Sequence, residues 1–132
     1  MRWFESSRPR IGPSAGAAAM NAALRGALDA FARGDLPAAL EHFAADATYR
    51  EARRPAVAGR EAIGALFERW SDAAVPWRFM VDEVIEADER ACVVYRFAVR
   101  EGEDRPWRER AGCALVRFGE RSLIAEWREY EG

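Results

Sequence analysis

The sequence predicts an α+β fold, with helices in the first half of the chain and an antiparallel sheet in the second. Three observations carry this. Apolar residues recur at spacings of three and four as far as Trp70, the period of one helix face. Beyond Pro76 the apolar period falls to two, as along a strand with one face covered. The long strand-like segments after Pro76 are joined by links too short for a parallel return, which needs a crossover of about a dozen residues.

Residues 1–19 are punctuated by Ser6, Ser7, Pro9, Gly12, Pro13, Ser14 and Gly16 and have no periodic apolar face. They read as an N-terminal extension to one domain over residues 20–132, with Met20 a second candidate start and Trp3 and Phe4 able to pack on the domain or on a neighbouring subunit. Met20, Leu24, Leu28 and Phe31 form one stripe of a first helix, stopped at Gly34. Asp35 is an N-cap signal, Pro37 suits a first turn, and Leu36, Leu40 and Phe43 mark a short second helix. Ala47–Glu51 alternates like a strand, with Tyr49 and Glu51 on one face and Thr48 and Arg50 on the other. A loop with Arg53, Arg54, Pro55 and Gly59 precedes a third helix, where Ile63, Leu66, Phe67 and Trp70 fall at i, i+3, i+4 and i+7. Strands are expected at Trp77–Ala87, Ala91–Arg100, Trp107–Phe118 and Leu123–Tyr130, linked by Asp88–Arg90, Gly102–Pro106 and Gly119–Ser122. No internal repeat is present.

At 132 residues the chain suffices for one core that buries roughly two-thirds of the unfolded surface. Hydrophobic residues at 50% and aromatics at 11% exclude a disordered chain. Twenty basic against 22 acidic residues, a net charge of -2, speak against nucleic-acid binding. Every basic residue is arginine, so lysine Schiff-base chemistry is excluded. Cys92 and Cys113 lack metal-ligand spacing and read as small buried hydrophobes. The one histidine, His42, excludes a histidine-rich metal site and reads as surface or satisfied core. With no glycine-rich phosphate loop either, no cofactor is expected. No charge-free apolar run approaches ~18 residues, and Arg2, Glu5, Arg8 and Arg10 enclose no apolar segment of a secretory signal. A cytoplasmic protein away from membranes is expected.

Four segments carry a resemblance: Phe31–Leu36 (FARGDL), Phe43–Tyr49 (FAADATY), Ala58–Ile63 (AGREAI) and Ile124–Tyr130 (IAEWREY). In order and spacing they resemble the nuclear-transport-factor-2-like superfamily, and within it small bacterial SnoaL-like proteins, over residues 20–132. The resemblance implies a cone, a strongly curved sheet of five or more mainly antiparallel strands wrapped around three helices, with a deep pocket and homodimers through the outer sheet face. It implies no single function, because that cone hosts isomerases, hydrolases, cyclases, dehydratases and non-catalytic binders. Similarity to ketosteroid isomerase places a catalytic carboxylate at Glu51, but the two oxyanion donors correspond to Ala27 and Ala114, which cannot donate. Similarity to limonene epoxide hydrolase is nearer. It matches Tyr49 to a water-positioning tyrosine, Arg96 to a bridging arginine, Glu129 to one carboxylate and Glu51 to a water-binding asparagine. The second carboxylate of that enzyme corresponds to Ala98, so Glu51 would have to replace it.

The expected site is therefore Tyr49, Glu51, Arg96 and Glu129, with Phe67, Trp70 and Trp127 as ligand-binding wall. Desolvation raises the pKa of a carboxyl and a guanidinium lowers it, so two carboxyls in unlike settings make an acid and a base. The function expected is binding of a small, largely apolar organic molecule, with cofactor-free acid–base turnover of the hydrolase, isomerase or cyclase type. The alternative is a non-catalytic dimeric binding or assembly module in which Arg96 and Glu129 form a structural pair. Register decides for Arg96. The more apolar face of its strand is Val93, Tyr95, Phe97 and Val99, and if that set faces the cone, Arg96 points to the dimer side. Arg108 and Arg110 share a face, either solvated, at the dimer contact or meeting a ligand carboxylate.

Overall fold

The computed structural model describes residues 10–11, 20–73 and 75–132. Most of the expected extension, Trp3 and Phe4 included, lies outside the described residues. Arg10–Ile11 forms a two-residue strand, β1, followed by α1 (Ala22–Arg33), α2 (Leu36–Leu40), β2 (Phe43–Arg50), β3 (Val57–Ala58) and α3 (Arg60–Asp72). The second half holds β4 (Trp77–Ala87), β5 (Arg90–Val99), β6 (Arg108–Phe118), a single 3-10 turn (Glu120–Ser122) and β7 (Ile124–Glu131). The strands make one curved seven-stranded sheet in the order β1-β4-β5-β6-β7-β2-β3. β4 to β7 form the expected antiparallel meander, whereas β1 with β4 and β2 with β7 pair in parallel, so the sheet is mixed. Among the described residues no helix is long and apolar enough to cross a membrane.

Local signals explain the helix ends. Asn21 caps α1 by accepting from the Leu24 amide at 2.9 Å, and Gly34 closes it in the left-handed region at φ 74°. Asp35 caps α2 through the Ala38 amide at 3.2 Å. α2 stops at Leu40 rather than reaching Phe43. The His42 carbonyl accepts from the Ile124 amide at 3.0 Å, which draws the chain into β2 beside β7. β2 is longer than its alternation suggests, because its register with β7 shifts between Phe43 and Thr48 and only the last four residues alternate in burial.

The helices cover the concave face of the sheet. Ile63, Leu66 and Phe67 of α3 are buried, and so are Leu24, Leu28 and Phe31 of α1. Phe31, Phe43, Tyr49, Phe67, Trp70 and Trp127 form a continuous aromatic cluster, with neighbouring ring centroids between 5.0 and 6.3 Å apart. Such pairs add about 0.5–1.5 kcal/mol each beyond the area they bury.

One glycine on the concave face is forced by close approach. A Cβ on Gly112 of β6 would stand 2.6 Å from the Tyr130 carbonyl oxygen, 2.8 Å from Glu131 Cγ and 2.9 Å from the Tyr95 hydroxyl. Gly112→Ala is therefore expected to cost about 1–3 kcal/mol through overpacking, read as a lower urea midpoint with an unchanged slope. Gly102→Ala is the control: its Cβ would meet only Arg105 Cγ, at 3.4 Å, and its midpoint should stay at the wild-type value.

Candidate functional site

The parallel register of β2 and β7 sets Tyr49 beside Trp127. Their rings stack at 5.8 Å and 4°, and both residues are buried. Glu129 follows two positions after Trp127 and so projects from the same face. Its Oε2 accepts from the Tyr49 hydroxyl at 2.9 Å and from Trp127 Nε1 at 3.0 Å. Burial pushes the Glu129 carboxyl above the ordinary glutamate range; the Trp127 and Tyr49 hydrogen bonds pull it back in part, and nearby Glu51 and Glu131 push it up again. Burial, followed by the neighbouring Glu129, holds the Tyr49 phenol well above its usual pKa, so it stays a proton donor to the carboxyl.

This carboxyl opens on a cavity of about 350 Å³, within the size range of small-molecule sites. Phe31, Leu66, Trp70, Trp77, Phe79 and Phe97 supply its apolar wall. Tyr49, Glu51, Tyr95, Glu129 and Glu131 supply its hydrogen-bonding groups, with Arg54, Arg69 and Arg110 alongside. The structure thus brings Tyr49, Glu51, Glu129 and Trp70 together around one cavity. Trp127 and Phe67 lie behind that surface: Trp127 orients Glu129, and Phe67 packs edge-on against Tyr49 at 5.5 Å.

A second tyrosine–glutamate contact stands next to the first. The Tyr95 hydroxyl donates to Glu131 Oε2 at 3.1 Å, and the Glu131 side chain, only 7% exposed, has Arg110 at 3.7 Å and Arg53 at 4.0 Å. Sequence reasoning placed neither residue in the site. Trp127, Glu129 and Glu131 alternate on β7, a pattern that would have found Glu131, but the expected strand stopped one residue short at Tyr130.

Arg96 is the main correction. β5 turns Val93, Tyr95 and Phe97 towards the concave side, so Arg96 and Ala98 belong to the outer face. There Arg96 pairs with Asp82 at 2.8 Å, reaches Glu109 at 3.6 Å, and is no partner of Glu129. The bulge between Val81 and Glu83 gives Asp82 its place at that outer pair. Ala27 and Ala114 are fully buried and do not line the cavity. Arg108 is engaged with Glu101 at 2.9 Å, whereas Arg110 lines the cavity. Cys92 and Cys113 are half-buried free thiols on the outer face rather than buried core. His42 packs on α1, where a Cβ added to Gly26 would fall into its ring. Among the described residues no group of three or more His, Cys, Asp or Glu is arranged to hold a metal ion.

Comparison with known proteins agrees with this architecture. An NTF2-like protein of unknown function from Burkholderia pseudomallei superposes with a TM-score of 0.70 at 21% identity, covering 83% of this chain and 88% of that one. A candidate polyketide cyclase from Xanthomonas campestris gives 0.64 at 20% identity over 83% and 87%. A hypothetical protein of ketosteroid isomerase-like fold from Catenulispora acidiphila, in complex with trimethylamine, gives 0.72 at 18% identity over 85% and 86%. No curated protein matches the chain by sequence. At these identities the solved structures share the fold alone. The SnoaL-like domain family matches residues 24–127, most of the helical layer and nearly all of the sheet, and the chain belongs to that family.

Proposed function

We propose that the protein binds a small organic molecule with a largely apolar body in the cone cavity and turns it over by cofactor-free acid–base chemistry. The observation that carries this reading is Glu129: a carboxyl set in an aromatic wall, bonded by two aromatic donors and opening on the cavity. Glu129 keeps its proton to higher pH than an exposed glutamate and is the proton donor. Glu51, also lining the cavity, is the proton acceptor. Tyr49 orients the acid through its hydrogen bond. Protonating a substrate oxygen while withdrawing a proton from carbon or water serves cyclisation, isomerisation and hydrolysis alike. The candidate polyketide cyclase among the structural neighbours makes cyclisation of β-keto compounds the first class to assay, followed by epoxides and lactones.

Across such a panel, Glu129→Gln and Glu51→Gln are each expected to lower kcat by about 10²–10⁴-fold while ligand affinity changes less than about threefold. Rates equal to background for wild type and both variants would remove the catalytic reading and leave a binding protein.

The same carboxyl sets a pH dependence of stability. An unfolded glutamate titrates near ~4.3, and Glu129 is raised above that in the fold. Its contribution is therefore complete below the unfolded value and is lost as pH rises through the raised folded value. Glu129→Gln is neutral throughout. Its urea midpoint relative to wild type is expected to move in the variant's favour from about pH 4 to pH 8. Parallel midpoints across that window would assign Glu129 an ordinary titration.

A second reading, a dimeric binding or assembly module, is favoured by the outer sheet face. Ile85, Leu115 and Tyr130 are 42%, 39% and 42% exposed there. Register aligns Ile85, Cys92 and Leu115 in one row and Val94, Cys113 and Tyr130 in the next. This patch is the proposed homodimer contact. Light scattering at micromolar concentration should return a dimer for wild type and a monomer for Leu115→Glu; a monomeric wild type would sink the dimer.

A further inference from the structure

Three arginines line the cavity, and they are held differently. Arg110 is committed: its Nε lies 3.7 Å from Glu131 and its guanidinium packs 5.2 Å over the Phe97 ring. Arg54 and Arg69 have no ion-pair or side-chain hydrogen-bond partner among the described residues. Their placement follows from the backbone. Arg69 stands one helical turn beyond Leu66 on α3, and both reach the cavity. After β2 the Arg54 amide donates to the Glu51 carbonyl at 3.1 Å, while Arg53 adopts a left-handed φ of 64°. The two adjacent arginines are thereby separated: Arg53 donates to the carbonyls of Glu131 and Gly132 at 3.4 and 3.3 Å, and Arg54 lines the cavity.

Among the described residues none of the three lining carboxylates pairs with Arg54 or Arg69. Glu131 is shared by Arg110 and Arg53, Glu129 accepts from Tyr49 and Trp127, and Glu51 makes no ion pair with Arg54 or Arg69. The cavity mouth thus carries two guanidiniums open to an anionic group, on a chain of net charge -2. A guanidinium presents paired N–H donors that match a carboxylate, and the adjoining aromatic wall suits a planar body. We propose that the cavity takes an aromatic carboxylate, its ring system against Trp70, Trp77 and Phe79 and its carboxylate at Arg54 and Arg69. The inference rests on the reading of the cavity as a ligand site and adds the charge its ligand carries.

The test uses three probes of one shape, 2-naphthoate, 2-naphthamide and (2-naphthyl)methylammonium, titrated calorimetrically into the full chain at neutral pH. At low salt the naphthoate is expected to bind about tenfold more tightly than the amide, and the advantage should shrink as salt rises. In the Arg54→Gln/Arg69→Gln double variant the advantage should vanish while amide affinity stays within about twofold. Both arginines are solvent-exposed, so the variant is expected to keep its fold, with circular dichroism as the check. Equal affinity for naphthoate and amide, preference for the ammonium, or an advantage that survives in the double variant would each overturn the proposal while leaving the cavity a ligand site. Binding of none of the three probes would overturn both.

Discussion

Parallel pairing of β2 with β7 places Tyr49 directly beside Trp127, and the stack of these two rings joins the core to the site. On one side the stack meets Phe31, Phe43 and Phe67, which tie α1 and α3 to the sheet. On the other, the polar ends of both rings converge on a single Glu129 oxygen. A buried carboxyl without such donors would carry a desolvation penalty of several kcal/mol. The packing that stabilises the fold therefore also supplies the hydrogen bonds that make an interior carboxyl tolerable.

β7 repeats this device with a different electrostatic setting. Glu129 and Glu131 project two residues apart from one face, each meeting a tyrosine hydroxyl. Around Glu129 the donors are uncharged, whereas Glu131 has two guanidiniums at hand. The two carboxyls of β7 therefore have different parts: Glu129 faces the cavity as the proposed acid, and Glu131 holds Tyr95 and the neighbouring arginines in place. Gly112 is part of the arrangement, because the Tyr95–Glu131 contact occupies the space its side chain would fill.

Much of the fold is legible in the sequence. The stripe on α1, the Ile63–Trp70 pattern and the strand limits of β4 follow from period alone, and Asp35 and Gly34 mark their turns through capping chemistry. Tyr49, Glu51 and Glu129 are legible as cavity residues through the family resemblance, to which alternation adds that Tyr49 and Glu51 share a face, and Trp70 is legible through the period of α3. β5 is different. Both of its faces are partly covered, with Val93 and Tyr95 buried on one side and Ala98 on the other, so the more apolar Val93, Tyr95 and Phe97 face is only a lean and does not by itself decide the register. The bulge at Val81–Glu83 is a property of two paired strands and leaves no mark in either sequence alone. Arg54 lies in the loop after β2 and carries no periodic signature, and Arg69 shares a helical stripe with Leu66 that does not mark an exposed arginine as a cavity residue.

The one-residue difference on β5 also shows how far family likeness carries. With Arg96 and Ala98 inside, the site would have resembled the bridging arginine and carboxylate positions of an epoxide hydrolase. With Tyr95 and Phe97 inside, β5 contributes a hydroxyl and a ring, and no charge. Arg96 loses nothing by this, since Asp82 and Glu109 satisfy it on the outer face. The proposed proton traffic then belongs to the β2 and β7 side of the cavity, where Tyr49 on β2 donates to Glu129 on β7 and Glu51 follows just beyond the end of β2. A shared fold preserves strand order and the wall of the cone. Which face each side chain takes, and so which chemistry the cone can perform, is settled strand by strand by register.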